Sequence, residues 1–389
     1  MSQVTALDYW KNRVATPGKA AVRVMVVDDS AVARGFMRKW IEIEPGIELV
    51  AAQRTGREAV AALEQTDPDV VVLDVDMPDM DGITALPLLL NKKPGLAIIM
   101  ASTLTRRDAE VTLRALSLGA LDCIQKPDAQ VGMSSEAYRQ FLISKIRELG
   151  LAARRKAVPP EPEPRVRRAG LTLASVSPGQ PLAPRGFVLR DPPAVPPRVL
   201  VIGASTGGPQ ALSDICGRLG PVIDQTPVLI TQHMPPTFTT ILAEHLARAT
   251  GRAAREAADG EPIRAGTIYV APGHRHLRVA REHGEPVAVL DDRPPVNFCK
   301  PAVDVLFTSA AEVWGQWVLG LILTGMGSDG ARGSADVVAA GGSIVAQDEV
   351  TSVVWGMPGA VAQAGLCSAV MPVQEIAPAL SRLFLGRRR

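Results

Sequence analysis

Short runs of β-branched and aliphatic residues alternate along this chain with stretches in which apolar side chains recur every three or four positions. That is the pattern of strands followed by amphipathic helices. In the first part the predicted strands are 22–27, 48–52, 70–73, 96–100 and 120–124. Helical spacing is plain at Val32, Phe36, Lys39/Trp40 and Ile43, and again at Tyr138, Phe141/Leu142, Ile146 and Leu149. Five strands and five helices in about 130 residues fit a flavodoxin-like, doubly wound parallel sheet. A second series of apolar runs, 199–202, 228–230, 268–270, 287–290, 318–323 and 343–346, predicts another mostly parallel α/β sheet with helices on both faces.

Proline marks where the two series part. From 158 to 197, 11 of 40 residues are proline, and such a stretch lacks both backbone donors and apolar periodicity. The expected organisation is an N-terminal extension at 1–22, a first domain at 23–150, a Pro-rich linker at 151–197 and a second domain at 198–389. The extension, with Tyr9 and Trp10, has no readable role and is expected to be a disordered tail. Forty-two Lys+Arg against 40 Asp+Glu leave a net charge of +2, which excludes a whole-chain polyelectrolyte role on nucleic acid or anionic lipid. No apolar run approaches the ~18–20 residues of a membrane span, and Asp8, Lys11 and Arg13 leave no signal-peptide core. The four cysteines, Cys123, Cys216, Cys299 and Cys367, show no C-x-x-C spacing, so reduced thiols in a cytoplasmic protein without membrane insertion are expected.

In open parallel sheets, ligands sit beyond the carboxyl ends of the strands. In the first domain those ends carry Asp28-Asp29, Asp74, Ser102-Thr103 and Lys126-Pro127. Three carboxylates brought together repel unless a cation joins them, and a hard ion such as Mg²⁺ suits all-oxygen ligands. A lysine and a hydroxyl at the rim suit a phosphoryl group beside the metal. Read singly, Asp29 fits a helix N-cap equally well.

In the second domain, 199–202 runs into Gly203-Ala204-Ser205-Thr206-Gly207-Gly208-Pro209. A phosphate-cradling loop would need Lys and Ser/Thr after the last glycine, where Pro209 and Gln210 stand. A dinucleotide fingerprint lacks its third glycine, and a short-chain dehydrogenase lacks the Tyr with a Lys four residues on. Gly203-x-Ser205-x-Gly207 does match a nucleophile on a sharp strand-to-helix turn. Strand ends offer His233 as a base and Asp329 as its orienting acid. His274 and His276 compete as an H-x-H metal pair, whereas His245 has helix-face spacing and His283 precedes Gly284 in a hairpin turn.

Residues 23–150 resemble the receiver domain of bacterial response regulators, through Asp28-Asp29, Asp74 in Leu73-Asp74-Val75-Asp76-Met77-Pro78, Gly82, Ser102 and Lys126-Pro127. That resemblance implies a phosphoacceptor at Asp74 and switch residues at Ser102 and Lys126. Mg²⁺ would be held by Asp29, Asp74 and the backbone carbonyl of Asp76, with Asp28 acting through water. One position departs from the pattern: Cys123 stands where many receivers carry an aromatic switch residue.

Residues 198–385 resemble the catalytic domain of the chemotaxis protein-glutamate methylesterases, the CheB family. The matching stretches are 203–209, 232–236 with Phe238, 271–273 with His276, 300–307, 324–330 and 354–358. The resemblance implies a Ser205, His233 and Asp329 triad with Thr206 and Met326 beside it. We infer that the backbone N–H groups of those two residues face an oxyanion. The activity it implies is phosphorylation-activated hydrolysis of glutamate γ-methyl esters on chemoreceptors, together with deamidation of receptor glutamines. No cofactor is expected for the esterase step, and a chemotaxis histidine kinase is expected as phosphodonor. A response regulator whose output domain binds a partner without catalysis is the alternative from another class. A DNA-binding output is disfavoured, because the second domain shows no helix-turn-helix pattern and is not strongly basic.

Overall fold

The computed structural model describes residues 21–103, 105–126, 135–157, 187–193 and 195–386. Residues 1–20, with Tyr9 and Trp10, and most of the proline-rich stretch lie outside the described residues.

The first domain runs β1 (Val22–Val27), α1 (Ala31–Glu42), β2 (Ile47–Gln53), α2 (Gly56–Thr66), β3 (Val70–Asp74), α3 (Gly82–Lys92), β4 (Ala97–Ser102), α4 (Arg106–Ser117), β5 (Asp122–Gln125) and α5 (Ser135–Ala157). Its sheet has the order β2-β1-β3-β4-β5 with every pair parallel, the doubly wound topology expected. Helices α1 to α4 each start at a side-chain cap, from Ser30, Thr55, Asp81 and Thr105 in turn, which accepts a free N–H of the first turn. β3 and β4 are buried along their whole length, as strands covered on both faces must be.

Two readings need correction. In α1 the stripe at Val32, Phe36 and Ile43 faces solvent, 68%, 53% and 62% exposed, while Met37 and Ile41 enter the core. The helix carries two apolar rows: Met37 and Ile41 are buried, and Ala33 and Trp40 pack half-buried against the same core. The predicted stripe in α5 is the buried one, through Tyr138, Leu142, Ile146 and Leu149. That helix continues to Ala157, seven residues beyond the expected boundary, because Leu151 and Ala153 still pack on the core and Arg154 pairs with Asp69 at 2.5 Å.

The second domain contains β6 (Val199–Ala204), α6 (Gly208–Cys216), α7 (Gly220–Gln225), β7 (Val228–Gln232), α8 (Phe238–Thr250), β8 (Ala253–Glu256), β9 (Thr267–Val270), β10 (His276–Glu282) and β11 (Glu285–Asp291). It continues with α9 (Val303–Trp314), β12 (Val318–Ile322), α10 (Ala331–Ala339), β13 (Ser343–Gln347), α11 (Met357–Gln363), β14 (Ala369–Met371) and α12 (Val373–Leu385). Seven parallel strands order as β14-β13-β12-β6-β7-β9-β8. The apolar run at 287–290 is not part of that sheet: it lies in β11, which pairs antiparallel with β10 in a separate hairpin. His283 and Gly284 both take positive φ at its tip, the geometry of a tight two-residue turn. The short edge strands β8 and β14 have too few apolar positions to be read from sequence.

The end of the expected linker is already part of the second domain. Phe187 packs edge-on against Trp355 at 5.4 Å, and the Arg190 N–H donates to the Cys367 carbonyl at 2.9 Å.

The domains share a core. Leu113, Leu116 and Ala120 of the first domain belong to the same buried cluster as Ala211, Leu212 and Leu242 of the second. At its rim Arg106 pairs with Glu244 at 2.7 Å.

Burial in α5 and exposure in α1 set an order of stability effects. Leu142→Ala should cost about 2–4 kcal/mol in urea unfolding, whereas Val32→Ala should stay within about 0.5 kcal/mol. The reverse order would show that α1, not α5, carries the core of the first sheet.

Candidate functional site

The parallel sheet of the first domain brings Asp28, Asp74, Ser102 and Lys126 to one edge. Lys126 Nζ sits 2.8 Å from Asp28 Oδ2 and 2.6 Å from Asp74 Oδ2. Carboxylate oxygens of Asp28, Asp29 and Asp74 lie within 4.8 Å of one another, the first and last buried and Asp29 exposed. Burial, with the charges of Asp28 and Asp29, pushes the Asp74 carboxyl up to about 6 although Lys126 pulls it down. Lys126 is itself held above the usual lysine value, the two carboxylates outweighing the cost of burial.

Asp28 Oδ2 is fully buried, and the Lys126 ammonium lies 2.8 Å from it. Three clustered carboxylates sharing a single lysine fit a hard divalent ion with all-oxygen ligands. A Cβ on Gly82 would overlap the Asp74 carbonyl oxygen, so only glycine lets α3 start so close behind that residue. The Asp76 side chain is exposed and is not among the three clustered carboxylates, which leaves only its backbone carbonyl for the role implied by the resemblance. Ser102 is buried and donates to the Thr103 carbonyl at 3.2 Å. Cys123 is buried in β5, its thiol pushed up to about 12 by burial, and no ring can swing at that position.

In the second domain β12, β6 and β7 are neighbours, so the loops leaving their carboxyl ends meet. The Ser205 N–H donates to the Thr324 carbonyl at 3.1 Å, and the His233 N–H to Ala204 at 3.1 Å. Gly207 takes φ 75° between Ser205 and α6, a left-handed turn that a side chain would strain. A Cβ on Gly208 would overlap Gln232 Oε1, and the same amide donates through Nε2 to the Ser205 carbonyl at 2.9 Å. Ser205 therefore sits on a sharp strand-to-helix turn, largely buried. Among the described residues, the N–H groups of Thr206 and Met326 donate to no backbone carbonyl.

His233 Nε2 lies 2.8 Å from Asp329 Oδ2. Asp329 is clamped by N–H groups at the start of α9, Val303 at 2.7 Å and Asp304 at 3.0 Å, and by Gly330 at 3.0 Å. Burial would raise its carboxyl, but His233 and those donors bring it below the usual range. Burial disfavours imidazolium at His233, yet the contacts with Cys299 and Asp329 outweigh it and raise the ring above the ordinary histidine value. The second ring nitrogen, Nδ1, faces Cys299 Sγ at 3.7 Å. Ser205 Oγ has no hydrogen bond to the imidazole.

The structure sets aside the histidine pair as a metal site. Both nitrogens of the fully buried His276 are engaged, Nε2 with the Pro294 carbonyl at 3.2 Å and Nδ1 with the Ala302 N–H at 3.1 Å. His276 thus braces the loop that leads into α9.

The first domain reaches the Ser205 turn through contacts that no sequence spacing announced. Lys145 of α5, only 4% exposed, pairs with Asp122 of β5, and Thr206 Oγ1 donates to the same carboxylate. Lys145 Nζ also lies 3.4 Å from Thr206 Oγ1. The Gly207 N–H donates across the boundary to the Leu121 carbonyl at 3.1 Å, and Gln210 donates to Leu116. Met326 and Val353 pack on the cluster that holds Tyr138 and Leu142 of α5.

A sequence model of the response regulator receiver domain matches residues 24–135, and one of the CheB methylesterase matches 200–380. A "protein-glutamate methylesterase/protein-glutamine glutaminase of group 2 operon" from Rhodopseudomonas palustris is 56% identical over 94% of this chain and 95% of its own. A protein-glutamate methylesterase/protein-glutamine glutaminase from Nitrobacter hamburgensis is 57% identical over 94% of each chain. The crystal structure of the Thermotoga maritima CheB methylesterase catalytic domain is 39% identical, covering 49% of this chain and 100% of that one, with a TM-score of 0.47. With more than half of its residues shared along 94% of its length, the chain belongs to the family of protein-glutamate methylesterases/protein-glutamine glutaminases, a receiver domain joined to a CheB methylesterase domain.

Proposed function

We propose that this protein is a phosphorylation-activated serine esterase that hydrolyses glutamate γ-methyl esters on chemoreceptors and deamidates receptor glutamines. The observation that carries the chemistry is the His233–Asp329 pair set beside a serine on a sharp strand-to-helix turn. With Nε2 committed to Asp329, Nδ1 is the nitrogen left to take the Ser205 proton. Ser205 Oγ then adds to the ester carbonyl. The Thr206 and Met326 N–H groups receive the developing oxyanion. Collapse expels methanol, which carries off the proton from His233, and water attacks the acyl-enzyme by the same route in reverse order. A glutamine amide follows the same path with ammonia as leaving group.

Asp74 is the phosphoacceptor in this reading, served by a chemotaxis histidine kinase. Asp29 and Asp74, with Asp28 and the Asp76 carbonyl, would hold Mg²⁺, which neutralises charge on the incoming phosphoryl group. The receiver keeps the esterase closed by covering the Ser205 turn. Lys126 follows β5 directly, and β5 carries Asp122. A phosphoryl group that draws Lys126 and Ser102 towards Asp74 therefore pulls on the strand that grips Thr206.

Ser205→Ala should lower methanol release from methylated receptor membranes by about 10⁴–10⁶ with the fold intact. Asp329→Asn should cost less, roughly 10²–10⁴, because it disturbs the tautomer and not the nucleophile. A Ser205→Ala enzyme that keeps a tenth of the wild-type turnover would refute the serine mechanism.

Lys145→Met removes the buried charge and keeps the stem. It should raise basal methanol release of the unphosphorylated chain, about tenfold for each 1.4 kcal/mol of docking lost. Asp74→Asn should abolish stimulation by a small phosphodonor and leave the basal rate. Unchanged basal release in Lys145→Met, with the protein folded, would remove this contact from the closing mechanism.

Asp74 also makes stability depend on pH. A carboxyl raised in the folded state contributes stability that is full below its unfolded value and is lost as pH climbs through about 6. Asp74→Asn should therefore raise the Tm at about pH 7.5, with a gain that shrinks towards pH 4, and Mg²⁺ should stabilise the wild type far more at about pH 7.5 than at pH 5. Equal effects at both ends would mean that Asp74 is not ionised against its surroundings.

A further inference from the structure

The chemistry just derived makes no use of Cys299, yet the structure aims its sulphur at the catalytic histidine. Residues 296–299 form a tight turn in which Asn297 and Phe298 both take positive φ, 50° and 64°. Reciprocal backbone hydrogen bonds of 3.1 and 2.8 Å between Val296 and Cys299 close it. Asn297 Nδ2 ties the turn to Asp304 at 3.2 Å, and Asp304 in turn accepts from the Gly330 and Gly333 N–H groups at 3.0 and 2.8 Å. Cys299 is therefore held by a braced loop, with Sγ 3.7 Å from His233 Nδ1.

A tetrahedral zinc ion bound by thiolate at about 2.3 Å and imidazole at about 2.0–2.1 Å holds those two atoms about 3.6 Å apart. The pair already stands at that separation. Metal-binding histidines commonly give their other ring nitrogen to a carboxylate, which fixes the tautomer and leaves the ligating lone pair free. Asp329 does this at His233 Nε2, itself anchored by three backbone N–H groups. Thiolate with imidazole selects borderline-soft ions over Mg²⁺ or Ca²⁺, whereas the all-carboxylate pocket of the receiver has the opposite preference.

We propose that Cys299 and His233 form a binding site for a borderline-soft divalent metal ion of the Zn²⁺ class, and that its occupation switches the esterase off. Binding forms an S–metal and an N–metal bond, the thiol proton leaves to solvent, and nothing is oxidised. The remaining positions on the ion are left to water or Ser205 Oγ. With Nδ1 held by the ion, no nitrogen is left to accept the serine proton. The inhibitory half of the proposal rests on the reading of His233 as base, and the binding half rests on geometry alone.

The test uses the reduced full-length chain. Co²⁺ should give a thiolate-to-cobalt charge-transfer absorption saturating at one equivalent, present in Asp74→Asn and absent in Cys299→Ser and Cys299→Ala. Zn²⁺ should protect Cys299 from alkylation by iodoacetamide, read by mass spectrometry; the other three cysteines are buried and serve as internal controls. Methanol release, normalised to each protein's own zinc-free rate, should fall with Zn²⁺ and return with EDTA. Loss of a ligand should raise the half-inhibitory concentration in Cys299→Ser at least about tenfold. A charge-transfer band that survives in both Cys299 variants, or equal zinc sensitivity of wild type and Cys299→Ser, would overturn the proposal. A wild type that binds Co²⁺ through Cys299 but releases no methanol without zinc would instead refute the esterase reading and leave the metal site standing.

Discussion

A lysine ammonium that loses its water must be given a carboxylate, and at the boundary between the two domains Lys145 is given Asp122. Removing one partner of such a pair leaves an uncompensated buried charge, so the pair is weak as a source of stability and strong as a specification of geometry. It closes on the hydroxyl of Thr206, one residue past Ser205, and the neighbouring Gly207 N–H is taken by Leu121. The apolar contact of α4 with α6 and α8 alone would tolerate some sliding. The polar contacts do not, and they fix the receiver on the turn that carries Ser205.

Both sites owe their assembly to parallel pairing. In each sheet the loops that follow neighbouring strands emerge at one edge, and the acids of the first domain and the Ser, His and Asp of the second arrive there from distant stretches of chain. Burial raises the carboxyls of both Asp74 and Asp329, and their neighbours then set the outcome in opposite senses. Asp74 meets two like charges and one lysine, and its carboxyl rises. Asp329 meets three backbone N–H groups and a histidine, and its carboxyl falls despite its deeper burial. The first suits the phosphoryl acceptance proposed for it, the second the proposed part of a steady anion behind the imidazole.

Most strands were legible because a fully buried parallel strand is a short aliphatic run, and Asp28, Asp74, Ser205, His233 and Asp329 were legible because each follows such a run. The stripe in α1 misled because the helix has apolar residues on two rows, and periodicity alone does not say which row meets the sheet. The run at 287–290 misled because a hairpin strand packed on a core has the same composition as a sheet strand. Asp122, Lys145 and Cys299 were invisible as functional residues. The contacts that give them a place at the site, with Thr206 and His233, span 61 to 84 residues, and no local pattern encodes a contact of that kind. The stretch holding Asp304 was recognised, but its part in bracing Asp329 and the Cys299 turn needed the loop geometry.

In the proposed mechanism, phosphoryl transfer to Asp74 lifts the receiver from the Ser205 turn. Hydrogen exchange at the Gly207 amide tests it directly, since that N–H bonds to the receiver and not to its own domain. In the resting full-length chain the amide should be protected. With Mg²⁺ and a small phosphodonor it should exchange faster in the wild type and stay protected in Asp74→Asn. Protection that persists while methanol release rises would contradict the account, because the esterase would then be working with the receiver still in place.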